Sequence, residues 1–445
     1  MAVFSRQRVA VGALDRRLWA LAWPLMLTQI TVPLLGLADT AVLGHLDDSR
    51  YLAAVAVGAN LFTVLFWAFG FLRMGTTGLA AQAYGRQRPD ELVALLLRSV
   101  LISLLLAAGL VALQQPLIAT GLRLMKADPA VTVLAAEYAA IRIWSAPAVL
   151  VQYTLIGWLI GTQHPRGPLL ILVLANSLNI VLDVLFVTVF GWHSRGVAMA
   201  TVMAEYSGCG LALWLVWRRL PGVLPQPRWL LGTWQDYRAI LSVNRFILVR
   251  TLLLLFTFAF FTAQGARAGE TIVAANAVLL TFLLIISNGL DGFAHAAEAL
   301  VGEARGRRDR QALDQTAMAT LKWSLIGAAL FTLAFILGGH WLIQGLTSIE
   351  PVRATAIQYL PWIWLMPLIA VWGYAFDGIF IGATRTRAMQ NTMALSVLGV
   401  FLPVWWLTQG WGNQGLWLAF MSFLATRGLA MAGLYRYWQR HGGLF

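Results

Sequence analysis

Charge is scarce in this chain. Acidic residues number 19 and basic ones 32 among 445, 11% together, against roughly 25% in soluble domains. Cysteine is scarcer still: Cys209 stands alone, which excludes a disulfide framework and a thiolate metal cluster. The six histidines are scattered, with no HExxH spacing. An intramembrane enzyme therefore has no visible metal or nucleophile constellation. The longest polar stretch, 218–238, is Pro-rich and too short to fold as a domain. The net charge of +13 thus has no nucleic-acid-binding module to serve. Arg16 and Arg17 precede the first apolar run, but no small-residue cleavage site follows in a suitable place, so that run reads as an uncleaved span.

What the chain has instead is apolar length. Hydrophobic residues make up 59% and the mean hydropathy is +0.72. Taking runs of about 20 residues as spans, helices are expected near 18–37, 52–79, 93–113, 131–160, 168–190, 196–217, 239–262, 272–300, 315–337, 354–380, 389–409 and 414–435. The expected fold class is an all-α polytopic membrane protein of twelve transmembrane helices in the lipid bilayer, in two pseudo-symmetric six-helix lobes.

The two lobes are written into the sequence. The stretch 52–86 recurs without a gap at 273–307, and Ala53, Ala54, Ala56, Val57, Leu79, Ala83, Gly85 and Arg86 each meet an identical residue 221 positions on. Trp144 and Pro147 return at Trp364 and Pro367, Tyr153 at Tyr374, and Gly161 at Gly382. A period near half the chain is a duplicated half, and six spans per half give parallel repeats, as in transporters. The division expected is an N-terminal lobe over 1–217, a cytoplasmic linker over 218–238 and a C-terminal lobe over 239–445. With the N-terminus inside, 19 arginines fall in inner segments and only six basic residues in outer loops. That positive-inside bias puts both termini in the cytoplasm.

The chemistry lies in polar groups that interrupt the spans, because ionisable residues there are costly and face a cavity or a partner. Asp39 sits near the outer end of the first span. In the fifth, Asn176, Asn179 and Asp183 share one helical face, and Thr201 enters from the outer side one turn into the sixth. At about 1.5 Å per residue these groups reach similar depth, so one pocket is plausible. The second half is apolar at the matching positions, near Phe260 and at Val400, Val404 and Phe420. Polar groups that only held the fold together would be needed in both copies, so the asymmetry favours function over interhelical glue. Pro24 and Pro33 in the first span allow either a fixed bend or a straight-to-bent hinge. The other buried charges, Arg73, Arg142, Glu205, Arg250, Asp291, Glu298 and Asp377, read first as internal ion pairs. Of these, Arg250, Glu298 and Asp377 are secondary site candidates, Glu298 and Asp377 as the acids of a second cavity.

These segments resemble a known family. PLLGLADTAVLGHL, FLRMGTTGLAAQAYG, NSLNIVLDVLFV, GVAMATVMAEY, LDGFAHAAEALVGEA and AFDGIFIGATR are similar to the DinF-like branch of the multidrug and toxic compound extrusion (MATE) family, over essentially the whole chain. The resemblance implies a secondary antiporter in the bacterial inner membrane, a monomer with no cofactor, exporting amphipathic or cationic drug-like compounds against H⁺ or Na⁺. It implies a cation-linked site at Asp39, Asn179, Asp183 and Thr201. The sodium-coupled branch has an acidic pattern in the second lobe that Asp377 meets in a different context, so that branch's sites are not carried over. Two other readings stay open: a lipid-linked oligosaccharide flippase, which would favour a basic cavity, and an intramembrane enzyme.

Overall fold

The computed structural model describes residues 12–29, 48–125, 128–220, 222 and 232–441, and among these there is helix, turn and no strand. Helix α1 covers 12–29. Among the described residues, eleven further helices are long and apolar enough to cross a bilayer. In the first half they are α2 (Ser49–Gly85), α3 (Pro89–Ala112), α4 (Pro129–Gly161), α5 (Arg166–Val189) and α6 (His193–Trp217). In the second they are α7 (Trp234–Ala268), α8 (Glu270–Gly306), α9 (Arg310–Leu346), α10 (Glu350–Gly382), α11 (Thr386–Leu407) and α12 (Asn413–His441). Each overlaps one expected span. The rest of the first expected span, with Pro33 and Asp39, lies outside the described residues.

The duplication reaches the backbone. Among the described residues, five non-glycine residues have positive φ, and four of them form repeat pairs: Gln87 (φ 57°) with Arg308 (φ 57°), and Gln163 (φ 63°) with Thr384 (φ 46°). The fifth, His193 (φ 45°), meets Gly412 (φ 56°) at a shift of 219. Each of the first four ends a long helix with a left-handed residue whose neighbours' N–H groups return to the last-turn carbonyls. Arg88 N reaches Ala83 O at 3.3 Å, and Asp309 N reaches Ala304 O at 2.9 Å, the same bond 221 residues later.

Helix contacts repeat as well. A Cβ on Gly161 would sit 2.7 Å from the Thr77 carbonyl, and one on Gly382 would sit 2.6 Å from the Glu298 carbonyl. Gly157 faces the Arg73 carbonyl and Gly378 the Ala294 carbonyl in the same way. Bare backbone is what lets α4 lie on α2, and α10 on α8, at such close range. Accordingly α4 and α10 are the most buried spans.

By packing, the chain separates into two compact units: Leu27–Asn244, and Met1–Met26 together with Arg245–Phe445. One boundary falls within α1, two residues after Pro24, and the other falls within the continuous helix α7. The start of α1 belongs with the second half: Lys322 Nζ reaches Asp15 at 2.6 Å, and Arg17 reaches Glu303 at 2.6 Å. The start of α7 belongs with the first half, where Arg98 meets Asp236 at 3.3 Å.

Candidate functional site

Helix α5 buries a single stripe, Gly167, Ile171, Ala175, Asn179 and Asp183, at a spacing of four. Asn179 is 1% exposed and Asp183 0%, whereas Asn176, one turn before Asn179, is half-buried. Regular α-helix stops at Asp183, and Val184–Val189 is π-helical. Single π turns inside α-helices are frequent at functional sites, because the extra residue redirects the side chains around it. Two turns into α6, Thr201 is 6% exposed and accepts a hydrogen bond from Asn179 Nδ2 at 3.3 Å. Its own hydroxyl donates to the Val197 carbonyl at 2.8 Å. Asn179 Oδ1 is buried and receives no hydrogen bond, which leaves an acceptor oxygen one helical turn from a buried carboxylate. The structure thus brings Asn179 and Thr201 into contact and puts Asp183 on their face.

The second half treats the same register differently. Phe420 stands where the repeat aligns Thr201; it is 0% exposed and lies in the core. Phe261 approaches it at 5.0 Å and Phe258 at 5.8 Å, ring to ring. Phe260, opposite the position of Asp39 in the repeat, packs edge-on against Trp405 at 4.8 Å and Phe401 at 5.6 Å. Aromatic rings fill in one unit the register that carries oxygen and nitrogen in the other.

Each unit also holds a buried mixed-charge cluster around a tyrosine. In the first, Arg142 of α4 lies 3.6 Å from Glu205 of α6, donates to Ser145, and faces the rings of Phe62 and Phe66 at 5.7 and 5.4 Å. In the second, Asp377 of α10 is held by two guanidiniums, Arg250 of α7 and Arg427 of α12. Arg427 stacks over Tyr374 at 5.8 Å, and Ser287 donates to Asp291 at 3.3 Å. Tyr153 and Tyr374 are repeat partners; the charges around them are not. Sequence reasoning put Arg250 and Asp377 among the residues of internal ion pairs, without assigning partners, and missed Arg427. The signal was present, a lone arginine in the middle of the last apolar run. Glu298, 1% exposed, lies on α8 seven residues after Asp291, on the same face as His295.

A duplicated bundle of helices of membrane-crossing length, with buried polar side chains in one repeat where the other packs aromatic rings, fits a membrane transporter. The comparisons agree. The sequence model described as MatE matches residues 24–185 and again 247–407. The chain is 43% identical to the DNA damage-inducible protein F of Escherichia coli K12, over 97% of its own length and 94% of that protein. It is 27% identical to the probable multidrug resistance protein NorM of Bradyrhizobium diazoefficiens, over 90% and 88%. A multidrug resistance MATE family transporter of the MOP superfamily, solved in an outward-facing conformation, shares the fold at a TM-score of 0.88 and 20% identity, over 97% and 96%. The chain belongs to the MatE family of multidrug and toxin extrusion proteins; it is a membrane transporter and not an enzyme.

Proposed function

We propose that this transporter is an antiporter of the bacterial inner membrane that exports amphipathic, often cationic organic compounds while H⁺ or Na⁺ flows inward. The observation that carries the reading is the buried polar cluster of Asn179, Asp183 and Thr201, confined to one repeat. A carboxylate beside an acceptor oxygen and a hydroxyl binds a proton or a small cation through oxygen, and the same negative charge attracts a cationic substrate. One carboxylate serving both in turn is the simplest coupling of the two flows. Asp39 is expected to complete this cluster from the first span, and Asn176 to line its edge. We assign Asp377 and Arg250 to holding the second unit together, since the carboxylate is taken up by two guanidiniums.

Alternate exposure of the site needs the repeats to move against each other. Pro24 supports a hinge in α1, because it removes one backbone donor two residues before the packing boundary at Met26; Pro33 is its expected companion. Both termini are placed in the cytoplasm on the positive-inside distribution. The test is efflux of a cationic dye from proteoliposomes under an imposed pH gradient alone and an imposed sodium gradient alone. One of the two gradients should drive efflux, and Asp183→Asn should abolish it. Efflux that responds to neither gradient, or that survives in the variant, overturns the proposal.

A further inference from the structure

A second site lies far along the sequence from the polar cluster, where the start of α1, the end of α8 and the start of α9 meet. A cleft of about 90 Å³ opens there, lined by Leu14 and Arg17, by Leu300, Glu303, Ala304 and Arg307, and by Ala312, Gln315 and Thr316. That is about three waters' worth of liquid volume and well below the roughly 300–1,000 Å³ of drug-sized pockets. Its walls mix apolar side chains with Gln315 and Thr316, and two arginines stand at it. Arg17 and Arg307 grip opposite oxygens of Glu303, whose side chain is 4% exposed, while their own are 44% and 52% exposed.

One carboxylate offers about four acceptor sites, whereas two guanidiniums carry about ten N–H donors. Glu303 alone offers fewer acceptors than the two guanidiniums have donors, and the three groups together carry one net positive charge at a helix end. Asp309 and Asp314 are engaged with other groups rather than with these two arginines. Asp309 accepts from Ala312 N at 2.9 Å as the cap of α9. Asp314 accepts from Tyr435 at 2.8 Å and from Gln439 at 3.0 Å. A mere clasp between α1 and the second unit does not need this triad, since Asp15 already takes Lys322 at 2.6 Å and Trp323 at 3.0 Å. The first repeat has the amide Gln82 where the second has Glu303, and its Arg86 meets Gln82 at 3.4 Å and pairs instead with the exposed Glu91 at 2.9 Å.

We propose that this cleft binds a phosphate group, its oxygens forked by Arg17 and Arg307 and its ester carbons against Leu14, Leu300 and Ala304. Planar guanidiniums suit phosphate oxygens bidentately, and basic pockets between spans at the headgroup level take anionic lipids. The phosphate can come from a phospholipid headgroup or from free solution, and the experiment separates the sources. The full-length protein in detergent is titrated with phosphatidylglycerol, with phosphatidylcholine as control, and separately with sodium phosphate against sodium chloride at equal ionic strength. The readout is the thermal midpoint.

Phosphatidylglycerol should raise the wild-type midpoint while phosphatidylcholine does not. The Arg17→Gln/Arg307→Gln double variant should need about tenfold more phosphatidylglycerol for the same rise. Arg17→Lys/Arg307→Lys keeps the charge and protects the fold, yet loses the forks, and should also be weakened. Stabilisation by sodium phosphate that the double variants lose assigns the site to free phosphate; its absence, with the lipid effect retained, assigns it to the headgroup. An unchanged response in both double variants overturns the proposal. So does an equal loss in Arg195→Gln, whose exposed pair with Glu137 at 3.1 Å lies outside the cleft.

Discussion

Asp377→Asn separates the buried charges that hold the second unit from the one that serves transport. The Asp377 carboxylate receives Arg250 and Arg427, and the three side chains are only 12%, 7% and 5% exposed. The variant leaves two cations side by side with no carboxylate between them. Breaking a buried ion pair by removing one partner costs about 3–5 kcal/mol. At the lower end, about 3 kcal/mol corresponds to roughly 6–12 °C in midpoint for a unit of this size. Intrinsic tryptophan fluorescence on heating reads this directly, because the chain carries 20 tryptophans. Asp183→Asn, by contrast, is a near-isosteric change on the face of Asn179, and its midpoint should stay within about 2–4 °C of wild type while ion-driven efflux is lost. Adding Arg427→Gln to Asp377→Asn should recover part of the lost midpoint, because one stranded charge is removed with it. A wild-type midpoint for Asp377→Asn, or a collapse of Asp183→Asn, would refute the division of roles.

Three further outcomes follow from the geometry. Thr201→Ala and Asn179→Ala should cut efflux at least about tenfold at matched expression, the loss of a contact worth about 1.4 kcal/mol or more in the rate, whereas Phe420→Ala should lower stability by about 3–5 kcal/mol and keep efflux per folded molecule; equal efflux losses in all three would contradict a one-repeat site. Gly378→Val and Gly157→Val should each force α10 from α8, or α4 from α2, and reduce folded yield, while Gly338→Ala, with nothing within 4 Å of the added carbon, should be neutral or slightly stabilising; normal yield of the valine variants would show that the helices are not in close contact. At Asp15, burial pushes the carboxyl up, but hydrogen bonds from Lys322 and Trp323 and the Lys322 charge outweigh it and hold it below its usual range. A depressed folded-state value gives stability that is present above the unfolded value and lost as pH falls through the folded one, so the wild-type midpoint should drop below about pH 4 by more than that of Asp15→Asn; parallel curves would show that the pair contributes nothing.

The sequence alone determined the elements, the repeat and one face of the site, and each for a local reason. Apolar runs of bilayer length predict α2 to α12 because a helix must satisfy its backbone internally in lipid, and such runs are visible one residue at a time. The shift of 221 that pairs Ala53 with Ala274 also pairs Gln87 with Arg308 in backbone angle, since copied sequence copies helix ends. Asn179 and Asp183 share a face by spacing alone. What only the tertiary structure decided is partnership. Nothing local in Arg427 says that it joins Arg250 on Asp377, 50 residues away, because helix rotation and neighbour choice are set by packing across the whole unit. Nor does hydropathy show that the first residues of α1 pack with the second half and those of α7 with the first, as Asp15 with Lys322 and Asp236 with Arg98 do. Those contacts join residues as much as 307 positions apart, and their register comes from glycine-lined helix surfaces and buried charges meeting in three dimensions, which no window along the chain contains.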